Sequence, residues 1–352
     1  MRPRTLIKKG LWQVFSGAPM WALRKMTEFP LTALCYHLVS DDQPAHVRSL
    51  FECHGVDWFE RDLDFLLAHH TVVSLDDLQK RAQGAKTLPK NSLFLSFDDG
   101  YRECVHTIRP ILLRKGVPAT FFLTSAFIDN RILGYRHKAS LLIARCEKAP
   151  GERVQVALAK LTGGPRGTNR EAEAAELLLS IKYRDSALLD GCAMELDVDF
   201  GDYLRTERPY LTSDDVTQLV NDGLTIGGHS VDHPRYSELS LTDQLIQTRQ
   251  CMSFLKRFGT PVKAFAFPFV SDGVEEGFYD SVFADEIADL VFCIGSVPNG
   301  AGARVIQRFG VEGKSVKPIE QVLREEYARR SVTNIAVHFP PSAPVPSKET
   351  TV

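Results

Sequence analysis

Short apolar runs alternate along the chain with longer stretches in which apolar residues recur at helical spacing. In SLFLSFDDG, residues 92–100, the apolar side chains predict a buried strand that ends at two carboxylates and a glycine. Residues 102–115 predict a helix that ends at Gly116, and residues 118–124 predict the next strand. A strand, a helix and a strand within about thirty residues form a βαβ unit, which implies a parallel sheet.

The same alternation covers most of the remaining chain. Further strands are predicted at 31–39, 72–73, 224–228, 264–267, 290–294, 305–307 and 334–338. Further helices are predicted at 57–70, 74–81, 213–222, 240–258, 275–287 and 318–330. Serial βα units favour a βα barrel of eight strands or fewer, and no glycine-rich dinucleotide motif or phosphate-binding loop follows a strand.

Residues 130–205 break the barrel pattern, because they are rich in Ala, Leu, Glu, Lys and Arg. Helical runs are predicted near 138–148, 152–161, 170–183 and 185–195, with the loop GGPRG at 163–167. Since the strand pattern resumes afterwards, we interpret this segment as a helical insertion in an α/β barrel of residues 31–338, and not as a separate domain. The Pro- and Ser-rich tail, residues 339–352, is predicted to be disordered.

The N-terminal segment, residues 1–30, combines basic residues with apolar residues near helical spacing. It contains no uninterrupted apolar stretch of the kind a signal peptide needs, and no stretch of roughly 18 apolar residues predicts a membrane-spanning helix. A basic amphipathic helix can lie on an anionic membrane surface, so residues 1–28 predict a peripheral membrane contact. The alternative is a helix that packs on the protein's own domain.

Charge and cysteine content narrow the function further. The net charge is -2, so there is no basic excess for nucleic acid, and a small or neutral substrate fits better. The seven cysteines are scattered and form no CxxC pair, which argues against a cysteine zinc site and a disulfide framework. Free thiols are typical of a reducing compartment, so we expect a cytoplasmic protein.

Two sets of polar residues follow predicted strands. Asp98 and Asp99 end one strand, where one carboxylate can bind a metal while the other stays free as a base; alternatively, they cap a helix on a surface turn. His229 and His233 follow another strand with a spacing that can place both imidazoles on one ion, although each alone is more often structural. Two histidines and one aspartate leave coordination open for water and a substrate oxygen, as in catalytic sites.

Such a site predicts hydrolysis of a carbonyl compound. The metal polarises the carbonyl and acidifies water, and Asp98 takes the proton from the attacking water. His37, at the end of the strand LTALCYH, can donate a proton to the leaving nitrogen or can be structural. The amide of Phe269, after Pro268, can stabilise the oxyanion, and Tyr101 is a further candidate on the substrate side.

Arg308, in the strand VIQRFG, can hold Asp98 ionised and oriented; a surface salt bridge is the alternative.

The motifs FDDG at 97–100, HSVDH at 229–233 and FAFPF at 265–269 resemble those of the polysaccharide deacetylases, carbohydrate esterase family four. The resemblance runs from about residue 31 to residue 310, interrupted by the insertion. It implies a distorted βα barrel that removes N-acetyl, or sometimes O-acetyl, groups from amino sugars. Carried over by position, Asp98 is the base, and Asp99, His229 and His233 bind the metal.

The proton donor depends on how the family pattern is aligned. The opening LTALCYHLVSDD resembles the permuted members, such as the poly-N-acetylglucosamine deacetylases, in which the strand of the acid histidine comes first. This alignment makes His37 the acid, whereas His338 in NIAVH matches the ordinary position and remains an alternative. The third motif departs from the family, which usually has Tyr and Gly where Phe269 and Val270 stand, and no arginine precedes the proline.

The sequence therefore predicts a metal-dependent hydrolase that removes N-acetyl groups from an amino sugar in a polysaccharide or in a lipid- or nucleotide-linked precursor. The ligand types favour Zn²⁺, with Co²⁺, Ni²⁺ or Mn²⁺ as alternatives. Alternative functions are hydrolysis of another linear amide or formyl group, a non-catalytic glycan-binding barrel, and a structural role in a membrane-bound polysaccharide assembly. We expect the insertion to form a lid or wall over the substrate groove.

Overall fold

The computed structural model describes residues 31–162, 171–297 and 302–338, together with Met20, Ala22 and Leu23. The chain forms two compact units, and Leu31–Val316 contains all the strands of the described residues. The second unit contains residues 1–30 and everything from Lys317 onwards. The loop predicted at 163–167, nearly all of the N-terminal segment and the predicted disordered tail lie outside the described residues.

Parallel strands close into a seven-stranded barrel, which confirms the predicted fold class. The strands are β1 (Leu31–Tyr36), β2 (Thr71–Val72), β3 (Ser92–Asp99), β4 (Thr120–Leu123), β5 (Thr225–Gly228), β6 (Ala264–Ala266), β7 (Leu290–Ile294) and β8 (Val305–Gly310). Their order is β1-β8-β7-β6-β5-β4-β3, and pairing between β1 and β3 closes the ring. The short β2 adds to β3 outside the ring.

Helices follow the strands, as the alternating pattern predicts. In the barrel they are α1 (Val56–His69), α2 (Leu75–Ala82), α3 (Arg109–Lys115), α9 (Ser213–Asn221), α10 (Leu241–Leu255) and α11 (Glu276–Ala284). One π-helical turn, Cys104–Ile108, precedes α3, so the helix predicted at 102–115 is divided. Gly116 ends α3 with a φ of 64°, as predicted, because glycine adopts this left-handed conformation without steric cost.

The barrel interior is filled by large apolar side chains. Every residue of β1 and β3 is buried. Phe94 of β3 stacks on Phe292 of β7 with ring centroids 5.0 Å apart, and Phe122 of β4 packs against the same ring. This packing holds the strands rigidly, so the residues at their carboxyl ends have fixed positions.

Residues between β4 and β5 form the predicted helical insertion. Its helices are α4 (Tyr135–Cys146), α5 (Gly151–Thr162), α6 (Glu171–Ser180), α7 (Ala187–Glu195) and α8 (Phe200–Thr206). They share an apolar core built from residues such as Leu142, Leu178 and Leu189, and Phe269 of the barrel packs against this core. The insertion therefore contacts the barrel at the segment that follows β6.

The prediction of a strand at 334–338 is wrong, because these residues belong to the helix α12 (Ile319–His338). The β-branched Val332, Thr333, Ile335 and Val337 favoured a strand. However, no Gly or Pro interrupts the chain between 319 and 338, and an established helix extends at little cost. His338, the alternative acid, therefore lies in a helix of the second unit and not at the end of a barrel strand.

Candidate active site

The predicted site residues of the barrel unit gather at the carboxyl ends of its strands. Asp98 and Asp99 end β3, His37 follows β1 directly, and His229 follows β5. Arg308 lies in β8 and points at the same centre. In a parallel barrel the carboxyl ends of all strands meet on one face, which brings together residues that are far apart in the sequence.

Asp98 and Arg308 form a buried ion pair with two parallel hydrogen bonds. The Arg308 Nη1 and Nη2 atoms donate to the Asp98 Oδ1 and Oδ2 atoms over 2.7 and 2.9 Å, and Nη1 also donates to Ser96 Oγ. Burial has the largest effect on the pKa of Asp98 and raises it, but the Arg308 guanidinium and the nearby histidines together outweigh this and lower the net pKa below its ordinary value. Asp98 is therefore ionised and fixed in orientation, although no arginine precedes Pro268.

The Cys35 thiol is a further contact of Asp98 that the sequence did not indicate. Its Sγ atom donates to Asp98 Oδ2 over 3.0 Å. Burial, followed by the negative charge of Asp98, raises the pKa of this thiol well above its ordinary value. Cys35 is therefore a neutral donor to the carboxylate.

The carboxylate of Asp99 faces both predicted histidine ligands. Its Oδ1 atom lies 3.5 Å from His229 Nε2 and 3.0 Å from His233 Nε2. One donor atom from each of the three residues lies within 4.8 Å of the other two. The backbone φ angles of Asp99 and His233 are 72° and 66°, a strained region for these residues that is found preferentially at functional sites.

These three side chains have the chemistry of a metal-binding set. His229 Nδ1 lies 2.8 Å from the Ala266 carbonyl oxygen, which can only accept, so Nδ1 carries the proton and Nε2 presents a lone pair. Burial lowers the pKa of His229 to about 4, so the ring is neutral at pH 7. Asp99 Oδ1 is buried and accepts no hydrogen bond from any described residue. A buried carboxylate oxygen without a donor, beside a neutral imidazole, fits a divalent cation.

A chain of buried hydrogen bonds links Asp99 to the insertion. A carboxylate only accepts, so the Tyr101 hydroxyl donates to Asp99 Oδ2 over 2.9 Å. The Tyr101 oxygen then accepts from His137 Nε2 over 2.6 Å, since burial lowers the pKa of His137 to about 4 and a neutral ring carries one proton. His137 Nδ1 therefore accepts from Tyr210, whose oxygen accepts from the Gly134 amide over 3.3 Å. The donor and the acceptor of each hydrogen bond in this series are therefore defined.

His37 is paired with a carboxylate that the sequence analysis missed. Its Nδ1 atom lies 3.1 Å from Glu312 Oε2, and its backbone amide donates to Glu312 Oε1. Burial has the largest effect on the pKa of His37 and lowers it, but the carboxylates of Glu312, Asp99 and Asp98 together outweigh this and raise the pKa to about 9, with Glu312 contributing most. Glu312 stands two residues after β8, so its position at a strand end was an available signal.

A cavity of about 550 Å³ opens onto these residues. Barrel residues on its wall include His37, Asp98 and Asp99, and the insertion contributes Tyr135 and Leu179. The insertion therefore forms part of the wall, as expected from the sequence.

The segment after β6 borders the same cavity. Pro268 is buried, and the Phe269 ring lies on the cavity wall with its centroid 4.6 Å from that of His233. Phe269 has a φ of 57°, which is again a strained conformation. The aromatic ring of Phe269 therefore contacts a predicted metal ligand.

Comparisons with known proteins agree with this geometry. The family model described as "Polysaccharide deacetylase" matches residues 85–276, more than half of the chain. Among solved structures, the Streptococcus pyogenes deacetylase PplD in complex with acetate is similar, with a TM-score of 0.52 and 14% identity over 84% of this chain and 97% of that chain. IcaB from Ammonifex degensii is similar, with a TM-score of 0.50 and 14% identity over 85% and 97%. No curated protein matches the sequence significantly.

Proposed function

The chain belongs to the polysaccharide deacetylase family, and from that premise we propose which residues carry out its reaction and on which kind of substrate. As a member it is a metal-dependent hydrolase that removes N-acetyl groups from glycans. The observation that carries the assignment of residues is the meeting of Asp99, His229 and His233 beside the ion pair of Asp98 and Arg308.

Asp99, His229 and His233 would hold the metal. When bound, a divalent metal polarises the acetyl carbonyl and makes water a stronger nucleophile at neutral pH. We propose Zn²⁺, because imidazole and carboxylate donors suit it, while Co²⁺, Ni²⁺ and Mn²⁺ accept the same donors. Ala266 fixes the His229 ring through its carbonyl, and Tyr101 fixes the Asp99 carboxylate. The Tyr101 hydroxyl is thereby committed to Asp99, so we now assign it to orientation of this ligand instead of contact with the substrate.

Asp98 is the general base and His37 the general acid. Asp98, which the Arg308 pair keeps ionised, takes a proton from the attacking water while the water oxygen bonds to the acetyl carbon. His37, charged at neutral pH because of Glu312, gives its proton to the nitrogen as the carbon–nitrogen bond breaks. Acetate and a free amino sugar result. The Phe269 amide after Pro268 remains our candidate for contact with the oxyanion.

We propose that the substrate is met in the cytoplasm, at the inner face of the membrane. The support is the set of seven cysteines, all of them buried free thiols, which is typical of a reducing compartment. Among the described residues no helix is long and apolar enough to cross a membrane. Membrane contact through residues 1–28 is tested by removing them and following the protein between membrane and soluble fractions. Recovery of the native protein from a periplasmic or secreted fraction would refute this location.

Acetate release from a panel of N-acetylated sugars tests the assignment. The metal-reconstituted wild type is compared with Asp98→Asn and Asp99→Ala, and Asp185→Asn serves as an exposed control in the insertion. We expect loss of activity by at least about a hundredfold in the two site variants and no change in the control. Restoration by metal after chelation should occur in the wild type. Metal binding without acetate from any sugar would indicate another amide or formyl substrate, or a non-catalytic barrel.

A further inference from the structure

Three cationic side chains on the cavity wall form no ion pair with any residue that the structure describes. They are Arg136 of the insertion, Arg235 after β5 and Lys314 after β8. Within the described part of the chain, no carboxylate lies within 4.0 Å of any of them. The carboxylates of the same cavity are committed elsewhere, since Asp98 pairs with Arg308 and Glu312 pairs with His37.

The two arginines are half-buried, which makes their unpaired charges costly. Arg136 donates to the Leu179 carbonyl, and the Arg235 guanidinium lies 4.8 Å above the Phe269 ring. Burial and the nearby charge of Arg235 lower the pKa of Arg136, and the more distant carboxylate of Glu238 offsets this only in part, so the two guanidinium groups repel each other. The hydrogen bond of Arg136 and the stacking of Arg235 on Phe269 hold the two side chains in place, and an anion bound near both would offset their repulsion.

The cations lie close to the reacting centre. Arg235 covers Phe269, and the Phe269 ring contacts the ring of His233, one of the proposed metal ligands. Lys314 is two residues from Glu312, the partner of the proposed acid. A group bound by these cations is therefore adjacent to a sugar whose acetyl group lies at the centre.

We propose that Arg136, Arg235 and Lys314 form a subsite for a phosphate or diphosphate group attached to the amino sugar. This inference rests on the proposed function and specifies its substrate class. Guanidinium groups match phosphate oxygens with paired hydrogen bonds, and three cations balance a diphosphate better than the single charge of a uronate. The cavity volume of about 550 Å³ is in the range of small-molecule sites. The substrate is thus a sugar phosphate ester of a nucleotide or lipid carrier, not a long neutral polymer.

A comparison of matched substrates tests the subsite. Acetate release is measured from UDP-N-acetylglucosamine, from N-acetylglucosamine linked to a lipid diphosphate in detergent micelles, and from a neutral N-acetylglucosamine oligomer. A polymer that alternates N-acetylglucosamine with a uronate is the fourth substrate. We expect the kcat/KM for at least one phosphate-linked sugar to exceed that for both polymers by at least tenfold, and the better of the two identifies the carrier.

Variants of the three cationic residues test whether they cause the preference for phosphate-linked sugars. Arg235→Gln and the exposed Lys314→Gln should lower the ratio of kcat/KM between phosphate-linked and neutral substrates, about tenfold for the arginine, because each removes a charge-assisted contact. Arg136→Lys retains the charge but loses the paired geometry, so its loss should be smaller. Arg205→Gln, exposed on α8, should leave the ratio unchanged.

Equal kcat/KM for neutral and phosphate-linked sugars, or a preference for the uronate polymer, overturns the subsite while the deacetylase assignment stands. Acetate from none of the four substrates counts against the proposed function, and calorimetric titration of the metal-loaded protein with UDP then decides the subsite alone. UDP binding that Arg235→Gln weakens about tenfold, but Arg205→Gln does not, supports the subsite. Absence of UDP binding, or equal binding by both variants, overturns it.

Discussion

Arg308 determines the protonation state of Asp98. Arg308→Met should leave the buried carboxylate without its cation and raise the pKa of Asp98, so the acidic limb of kcat/KM against pH should move to higher pH. Because the folded-state pKa of Asp98 is depressed, the stabilisation from this pair exists at neutral pH and is lost as the pH falls. Loss of one partner of a buried pair costs about 3–5 kcal/mol in the free energy of unfolding.

The pH profile of acetate release and urea unfolding measure these two effects. Arg205→Met, an exposed arginine of α8, is the control and should change neither. An acidic limb that stays in place in Arg308→Met would show that Arg308 does not control the base.

Glu312 should control the protonation state of His37, the proposed general acid, as Arg308 controls that of Asp98. In the wild type the alkaline limb of activity is expected near pH 9, where His37 loses its proton. Glu312→Gln removes the largest contribution to the raised pKa and leaves burial, which lowers it, so the limb should move down toward about 6.5. The folded-state pKa of His37 is raised, so this pair stabilises the fold fully below about pH 6.5 and ceases to do so as the pH rises through about 9.

The measurement is kcat/KM between pH 5 and 10, with the exposed Glu207→Gln as the control. An unchanged alkaline limb in Glu312→Gln would indicate that a group other than His37 donates the proton.

At the scale of elements, helix α4 of the insertion is joined to the centre by the hydrogen bonds from His137 through Tyr101 to Asp99. His137→Phe should leave the Tyr101 oxygen without its donor and loosen Asp99. We expect the Kd for metal to rise by about 10–100-fold, as is usual when an outer partner of a metal ligand is lost. Competition with a chromogenic chelator measures the Kd. His106→Phe, an exposed histidine, should keep the wild-type affinity, and an equal affinity of His137→Phe would exclude an orienting role.

The sequence patterns located the strands whose carboxyl ends contribute residues to the site. They did not locate the helix whose residue reaches the site only through tertiary packing. Asp98 and Asp99 could be predicted because a buried strand that ends in two carboxylates is a local signal. His137 gave no such signal, since the middle of an insertion helix faces the centre only through tertiary packing. The helix at 334–338 was missed for the opposite reason. Its β-branched residues favour a strand locally, but in the structure they continue the preceding helix.

At the scale of the whole molecule, the proposed metal ligands join two parts of the barrel. Asp99 belongs to β3, whereas His229 and His233 follow β5, so metal binding stabilises the folded state over the unfolded chain. Removal of the metal by a chelator should lower the Tm by several degrees, and metal addition should restore it. Calorimetry of wild type and Asp99→Ala provides the check, because the variant should be insensitive to the chelator. A chelator effect of equal size in Asp99→Ala would place the stabilising ion elsewhere.

The closure of the barrel has a consequence for the protein during its synthesis. Strand β1 pairs with β3 on one edge and with β8 on the other, so the first strand of the barrel is paired on both edges only after the last strand has been synthesised. Until Arg308 has emerged, Asp98 has no guanidinium partner, and Glu312 follows only four residues later. The acid thus reaches its working charge state, and the base its fixed orientation, only at the end of translation of the barrel. A nascent chain that stalls before this point has the metal-binding motifs but not the charged pairs that prepare them for hydrolysis.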